Sequence, residues 1–316
     1  MMSNSSLTQI NTTITICIAS YNRPGGLNRL LSSLKELAFR KCPTPSWSVV
    51  VVDNHPGLPA KPIVDVIKED FPTPIEYFHE PEQGIASARN RAIQESKTCD
   101  FIAFIDDDQI ADRFWLDELL FVQNQYQAAV VTGPVLPLFE EDPPNWILKG
   151  GFFNRPRRPT GSAVDYAFTG NVLIKYEWTQ YFKGPFDRRM NLIGGSDTMF
   201  SKKIKKLGAT IIWADEAISK EYNPPQRLSV SWLLKRSYRL GVTLTLAEKW
   251  TNEPFQVLLL RSLKGFYHIT LGCLILVPQT IIYGKAGFVK SLRKTFRGLG
   301  ELSGFLNMYY EEYAKI

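Results

Sequence analysis

The chain has 316 residues, 44% apolar, 12% aromatic and 22% charged, which suits one large folded unit with an extension and excludes a fibre or a disordered chain. Its four cysteines, Cys17, Cys42, Cys99 and Cys273, stand far apart with no C-x-x-C pair, which excludes a zinc knuckle or disulfide framework and fits a reducing compartment. The net charge of +6 is concentrated: Phe255 to Gly300 holds Arg261, Lys264, Lys285, Lys290, Arg293, Lys294 and Arg297 and no acid, so the remainder is near neutral. That excludes a nucleic-acid binder basic on every face and points to a basic, apolar C-terminal region that meets lipid headgroups.

In chain order, the opening MMSNSSLTQINTT is polar and lacks the charged and apolar regions of a secretory signal, so the expected address is the cytoplasm. Ile14 to Ala19 reads as a strand, and the spacing of Leu27, Leu30, Leu31 and Leu34 predicts a helix after SYNRPGG. Trp47 to Val52 is apolar on both faces, as in the interior of a parallel sheet. A weaker strand, Ile75 to His79, precedes a helix over Ala86 to Ser96, and Phe101 to Ile105 is a fourth strand. Strands alternating with helices predict an α/β fold with a mostly parallel sheet. Glu140 to Thr160 reads as a long mobile loop, Phe168 to Ile174 as a strand, and Leu233, Ser237, Leu240, Leu244 and Ala247 as the buried face of a helix. Phe266 to Tyr283 is apolar for about 18 positions, short of the ~20 that span a bilayer, and admits a core helix or helices lying in the inner leaflet.

Ligands of such sheets bind beyond the carboxyl ends of the strands, which singles out Ser20 to Arg23, Asp53-Asn54 and Asp106-Asp107-Asp108. Three adjacent carboxylates repel, and a divalent cation with its phosphate ligand relieves that; a solvated acidic turn is the alternative. Asp53 either shapes a turn or accepts hydrogen bonds from a base or ribose. Arg89 and Asn90 sit early in a helix, where anions are favoured, or on a solvated face. Asp197, in GGSDTMF, either caps the helix that follows or acts as a general base. His55, His79 and His268 have no metal or triad spacing. The absence of G-x-G-x-x-G after the first strand and of a P-loop disfavours a dinucleotide oxidoreductase or a P-loop NTPase.

TICIASYNR, VVVVDN, GIASARNRAI, FIAFIDDD, TGNVLI and GGSDTMFSKKIKKLG, in this order from about Ile14 to Leu246, together resemble glycosyltransferase family 2, and within it bacterial exopolysaccharide and O-antigen enzymes of the succinoglycan type. The resemblance implies a GT-A fold, Rossmann-like with a mostly parallel central sheet flanked by helices, and a helical, membrane-associating C-terminal extension. It divides the chain into a tail at 1–13, a catalytic domain at 14–225 (donor half about 14–110, acceptor half about 111–225) and the extension at 226–316. It implies an inverting, metal-dependent transferase that moves a sugar from a nucleotide-sugar donor, a UDP-sugar being favoured, to a lipid-linked saccharide at the cytoplasmic face of the inner membrane. Ser20, Tyr21, Arg23, Asp53, Arg89, Asp106 and Asp107 would bind the donor, Asp106 and Asp108 would hold Mg2+ or Mn2+, and Asp197 would be the catalytic base. Asn171, Arg236 and Arg239 would serve the acceptor or the leaving diphosphate. The chain departs from the family where Ser196, rather than Glu, precedes Asp197, and in lacking Q-x-x-R-W. Competing readings are a metal-dependent nucleotidyltransferase and a silent scaffold of a polysaccharide assembly complex. A piece ending near Asn252 is expected to retain nucleotide binding.

Overall fold

The computed structural model describes residues 12–96 and 99–309; most of the expected polar tail and the last residues of the extension lie outside them. The chain begins with β1 (Thr13–Ser20), α1 (Pro24–Lys35), β2 (Ser46–Asp53), α2 (Lys61–Ile67), β3 (Ile75–His79), α3 (Ile85–Glu95) and β4 (Phe101–Ile105). It continues with β5 (Gln109–Ala111), α4 (Trp115–Tyr126), β6 (Val130–Thr132), β7 (Val135–Phe139), α5 (Asn145–Gly150), β8 (Asn171–Lys175) and α6 (Glu177–Gln180). After α7 (Ser196–Lys206), β9 (Ile211–Trp213) and β10 (Ser219–Asn223) come three long helices, α8 (Val230–Trp250), α9 (Phe255–Tyr283) and α10 (Lys285–Phe305).

The main sheet has the order β3-β2-β1-β4-β8-β6-β9, and β8 alone runs against its neighbours, so the expected mostly parallel sheet is present. Alternate residues of a strand point to opposite faces, and both faces here are covered. Ile14, Ile16 and Ile18 pack with Leu27, Leu30, Leu31 and Leu119 on one side, while Cys17, Val50, Val52 and Phe104 pack with Ala88, Phe200 and Ile204 on the other. Each leucine of that first cluster is fully buried, a contribution of roughly 1.5–3 kcal/mol apiece relative to exposure. The register aligns Ser20 with Asp53 and Cys17 with Phe104, and Ile105 faces Asn171, so the segments after β1, β2 and β4 and the one before β8 meet at one edge. A second sheet, β5-β10-β7, sits beside that edge and carries Glu221 opposite Gln109.

Three expectations require correction. The Pro-rich stretch is not a mobile loop: it contains α5, and Ile147, Phe152 and Phe153 are buried with Leu228, Leu233 and Val289. Phe153 stacks on Trp232, far away in sequence, at 5.8 Å, and within the stretch Phe152 lies beside Trp146 at 5.6 Å. The buried face of α8 departs from the one expected: Leu233, Ser237 and Ala247 are buried as expected, but Gly241, Val242, Thr245 and Leu246 are buried with them, whereas Leu240 is 38% exposed and Leu244 half-buried. The cause is α10, whose backbone lies so close that a Cβ on Gly241 would come within 2.2 Å of Arg297 O.

The third correction concerns the basic C-terminal residues. α9 and α10 form an antiparallel hairpin in which glycines allow close approach; a Cβ on Gly298 would lie 2.4 Å from Gly265 O. Arg261 turns inward to Glu248 and to the fully buried Glu301, Arg297 reaches Glu301 at 3.4 Å, and Arg293 donates to Ser237 Oγ at 3.0 Å. Arg261 and Arg293 thus turn inward and Arg297 only partly so, whereas Lys264, Lys285 and Lys290 are exposed. α9 is long and apolar enough to cross a membrane, with a mean hydropathy of 1.5 over its best window, and only 11% of that window is buried. It is therefore not a core helix of the described chain. Leu260, Phe266, Leu274, Val277 and Ile281 are all more than half exposed.

Candidate active site

The aligned strand ends floor a cleft of about 420 Å³, walled by the segment around Phe153, the start of α7 and one side of α8. A larger open groove of about 830 Å³, near Thr12, Phe101 and Lys175, lies at the opposite end of β4 and carries none of the residues singled out from the sequence.

Asp106 to Asp108 leave β4 in a tight turn that packs against the start of α1; a Cβ on Gly26 would lie 2.5 Å from Asp107 O, which explains the second glycine of Pro24-Gly25-Gly26. The three carboxylates diverge. Asp107 is buried and turns into the loop after β1, accepting from Ser20 Oγ at 2.9 Å, Tyr21 N at 3.3 Å and Arg23 at 3.0 Å. It and Ser20 thus brace the loop after β1, and both line the cleft as expected of donor-site residues. Asp108 is gripped by Arg23 at 2.9 Å and Arg227 at 3.0 Å. Asp106 is partly exposed and pairs with Arg89 at 3.1 Å. Gly170, just before β8, presses on it, since a Cβ there would be 2.8 Å from Asp106 Oδ2.

Burial pushes the carboxyls of Asp106, Asp107 and Asp108 above the usual range; Arg89 opposes this at Asp106 and Arg23 at the other two, while neighbouring acids add to it. Ionised carboxylates held together at such a cost are relieved by added positive charge. Among the described residues no cluster of three or more His, Cys, Asp or Glu could hold a metal alone. Two hard carboxylates with further oxygens supplied by a diphosphate and water are what Mg2+ or Mn2+ accepts, so Asp106 and Asp108 fit a cation that arrives with its phosphate.

Arg89 is 8% exposed and reaches Ser196 Oγ at 3.2 Å as well as Asp106. The serine that departs from the expected Glu thus accepts a hydrogen bond from an arginine already neutralised by Asp106. Asn90 instead exchanges two hydrogen bonds with the Phe186 backbone, a packing role. Tyr21 lines the cleft, its hydroxyl accepting from Gln83 at 3.0 Å. Asp197 lies in the first turn of α7, after Gly195 at the N-cap, and lines the cleft; Oδ1 accepts from Thr198 N at 2.7 Å, so it does not cap the helix.

Two candidates are placed elsewhere. Asp53 is fully buried and holds its own turn, accepting from His55 N at 3.1 Å, Ala60 N at 2.9 Å and Tyr77 Oη at 3.2 Å. The turn-shaping reading applies, and it is Asn54 that reaches the cleft wall, accepting from Gly84 N at 2.7 Å. Asn171 is fully buried, donating to Pro134 O and Ala217 O and accepting from Trp115 Nε1. It ties the two sheets together and does not line the cleft.

The sequence reading missed Glu221, Arg155 and Arg227. Glu221 accepts from Arg155 and Arg227, each at 2.8 Å. Burial pushes the Glu221 carboxyl up, but Arg155, Arg236 and Arg227 outweigh it and hold the group below the usual range. Arg236, half-buried and beside Arg155, Arg239 and Arg227, is pushed down to about 10 by desolvation despite Glu221. Arg236 and Arg239, singled out from the sequence, do line the cleft, with Arg293 of α10. A polar strand followed by PPQR was the available signal for Glu221 and Arg227.

With this geometry in view, the sequence model described as Glycosyl transferase family 2 matches residues 15–182. The chain belongs to glycosyltransferase family 2. It is 32% identical over 258 residues to the succinoglycan biosynthesis protein ExoM of Rhizobium meliloti, covering 80% of this chain and 82% of that protein. It is also 32% identical over 135 residues, 42% of this chain and 25% of the relative, to the pre-mycofactocin glycosyltransferase of Mycobacterium tuberculosis. Among solved structures, the mannosyltransferase PcManGT of Pyrobaculum calidifontis in complex with GDP-Man and Mn2+ matches with a TM-score of 0.65 at 14% identity, covering 93% of this chain and 87% of that one. S. aureus TarS 1-349 in complex with UDP matches at 0.53 and 17% identity, over 95% and 93%. At these identities the structural likeness shows the fold alone, which for this family 2 member is GT-A-like.

Proposed function

We propose that this family 2 glycosyltransferase is a metal-dependent, inverting enzyme of cell-surface polysaccharide assembly, which moves a sugar from a nucleotide-sugar donor to a hydroxyl of a lipid-linked saccharide. What carries the reading is the joint lining of one cleft by Asp106, Asp108 and Asp197 with Arg23, Arg89 and Arg227. Asp106 and Asp108 would hold Mg2+ or Mn2+, which when bound neutralises charge on the departing diphosphate. Arg23 and Arg227 bring further positive charge to the same oxygens. Asp197, oriented through Oδ1 by the Thr198 N–H, takes the proton from the attacking acceptor hydroxyl. A single in-line displacement with one base inverts the anomeric centre.

Relatives support the substrates: the ExoM relative is named for succinoglycan biosynthesis, and structural neighbours were solved with UDP, UDP-GlcNAc and GDP-Man. The exposed apolar side of α9, with Lys264, Lys285 and Lys290 exposed nearby, supports docking in the inner leaflet at the cytoplasmic face. A mass-spectrometric screen of nucleotide sugars for hydrolysis and transfer with Mg2+ or Mn2+ tests the reading. Consumption of a nucleotide sugar with release of nucleoside diphosphate is expected. Pyrophosphate release from a nucleoside triphosphate would make it a nucleotidyltransferase, and turnover of neither, a scaffold.

A further inference from the structure

The wall of the cleft built by α8 and α10 differs chemically from the strand edge. At the edge, Arg23 and Arg89 are set against Asp106, Asp107 and Asp108. On the wall, Arg155, Arg227 and Arg236 share the field of Glu221, and Arg239 and Arg293 line the cleft beside them. Burial and the nearby Arg297 push Arg293 below the ordinary arginine range, as burial and neighbouring arginines do to Arg236. Glu221 is shared by Arg155, Arg227 and Arg236, so the wall keeps an excess of positive charge, and guanidinium groups suit phosphate oxygens.

The same wall carries an apolar shelf. Arg293 lies 5.2 Å from the Phe152 ring, Arg236 lies 5.0 Å from Trp232, and Leu240 is 38% exposed at the lining. Beneath them Phe152 and Phe153 pack on Val289 of α10, and the other side of α10 carries α9 with its exposed apolar face. Anion site, apolar shelf and outward-facing apolar helix thus follow one another on one helical scaffold.

We infer that Arg236, Arg239 and Arg293, with Phe152, Trp232 and Leu240, form a second anion subsite that binds the phosphate or diphosphate joining the acceptor saccharide to its lipid. This rests on the proposed lipid-linked acceptor and adds where its charged linkage is read. The subsite is separate from Asp106 and Asp108, so acceptor linkage and donor diphosphate are bound at once. Arg293, at the start of the cleft wall on α10, makes the hairpin part of the binding surface.

The test is binding of farnesyl diphosphate to the full chain by calorimetry, with UDP and Mg2+ saturating, and with GDP in a parallel series. Farnesyl diphosphate should bind the UDP-loaded protein at least tenfold more tightly than farnesol does. Arg293→Gln should weaken it about tenfold while UDP affinity stays within twofold, and Arg293→Lys should recover part of the loss. Equal melting midpoints for the two variants guard against misfolding, and Ser237→Ala, which frees Nε of Arg293 without changing charge, should give an intermediate loss. Displacement of UDP by farnesyl diphosphate, equal binding of farnesol, or indifference to Arg293→Gln would each overturn the inference. Phosphatidylglycerol vesicles that compete as well as farnesyl diphosphate would make this a bilayer headgroup site and overturn it too. A protein that binds neither UDP nor GDP, yet binds farnesyl diphosphate through Arg293, would refute the donor reading and leave this subsite standing.

Discussion

Glu221→Gln removes the negative charge that two guanidiniums grip at 2.8 Å while keeping the size of the side chain. Breaking a buried ion pair from one side costs about 3–5 kcal/mol. Here the cost is reduced, because Gln still accepts one hydrogen bond and Arg227 keeps Asp108 at 3.0 Å, which leaves about 2 kcal/mol. With an unfolding entropy of about 2.1 cal/mol/K per residue over 316 residues, roughly 0.66 kcal/mol/K, the melting midpoint should fall by about 3 °C. The ligand effect has the opposite sign. A unit charge removed about 10 Å from a diphosphate is worth roughly 1.7 kcal/mol at an effective dielectric of about 20, less when salt screens it, so metal-free UDP should bind several-fold to about tenfold more tightly. Scanning fluorimetry and calorimetry in EDTA at low salt read both quantities. A variant with an unchanged midpoint and unchanged or weaker UDP binding would refute the picture of Glu221 as the counter-charge of the arginine wall.

Asp108→Asn should abolish transfer and the Mg2+-dependent part of UDP binding; full activity of the wild type in excess EDTA would remove the cation from the mechanism. Because burial raises the folded-state Asp108 carboxyl above its unfolded value, its ionised form destabilises the fold at neutral pH and is relieved as pH falls through the raised value. The metal-free variant should therefore melt no lower than wild type at neutral pH, with any gain shrinking on acidification. Asp197→Asn should lower turnover by about 10²-fold or more with donor binding nearly intact, whereas an equal loss of donor affinity would make it a donor-site residue. Leu274→Glu with Ile281→Glu, at positions 70% and 79% exposed, should release the protein from phosphatidylglycerol vesicles without moving its melting midpoint, and a wild type that ignores such vesicles in detergent-free buffer would end the membrane reading.

The strands β1, β2 and β4 were legible because a sheet covered on both faces demands apolar residues at consecutive positions, a pattern local to each segment. The acids after β4 were legible for the same reason: they mark where the apolar run stops. What a strand end does not tell is which way its polar side chain turns. Asp53 and Asn171 sit at the same sheet edge as Asp106, yet both are consumed by turns and sheet ties, a choice made by the backbone groups around them. Arg89 shows the reverse, since a residue equally readable as solvated lies buried between Asp106 and Ser196. Glu221 and Arg227 were missed because their one local signal, the polar SKEYN of β10 followed by PPQR, does not say that β10 pairs with strands more than 80 residues away. No local pattern encodes that register.

The three C-terminal helices explain why a piece ending near Asn252 is a poor probe of the site. Arg261 of α9 joins Glu248 of α8, at 2.5 Å, to Glu301 of α10, at 3.2 Å. His268 of α9 lies 2.8 Å from the same Glu301, and Lys202 of α7 reaches Glu248 at 3.6 Å. Deleting α9 and α10 would strip Glu248 of its closest cation and bare the Gly241 side of α8, to which α10 fits within a Cβ's reach. It would also remove Arg293 and Val289 from the cleft wall and its underlying core. Loss of nucleotide binding by such a piece would therefore report unfolding of α8 as readily as loss of a lipid contact. Substitutions confined to the outward side of α9 separate the two, because they leave every one of these inward contacts in place.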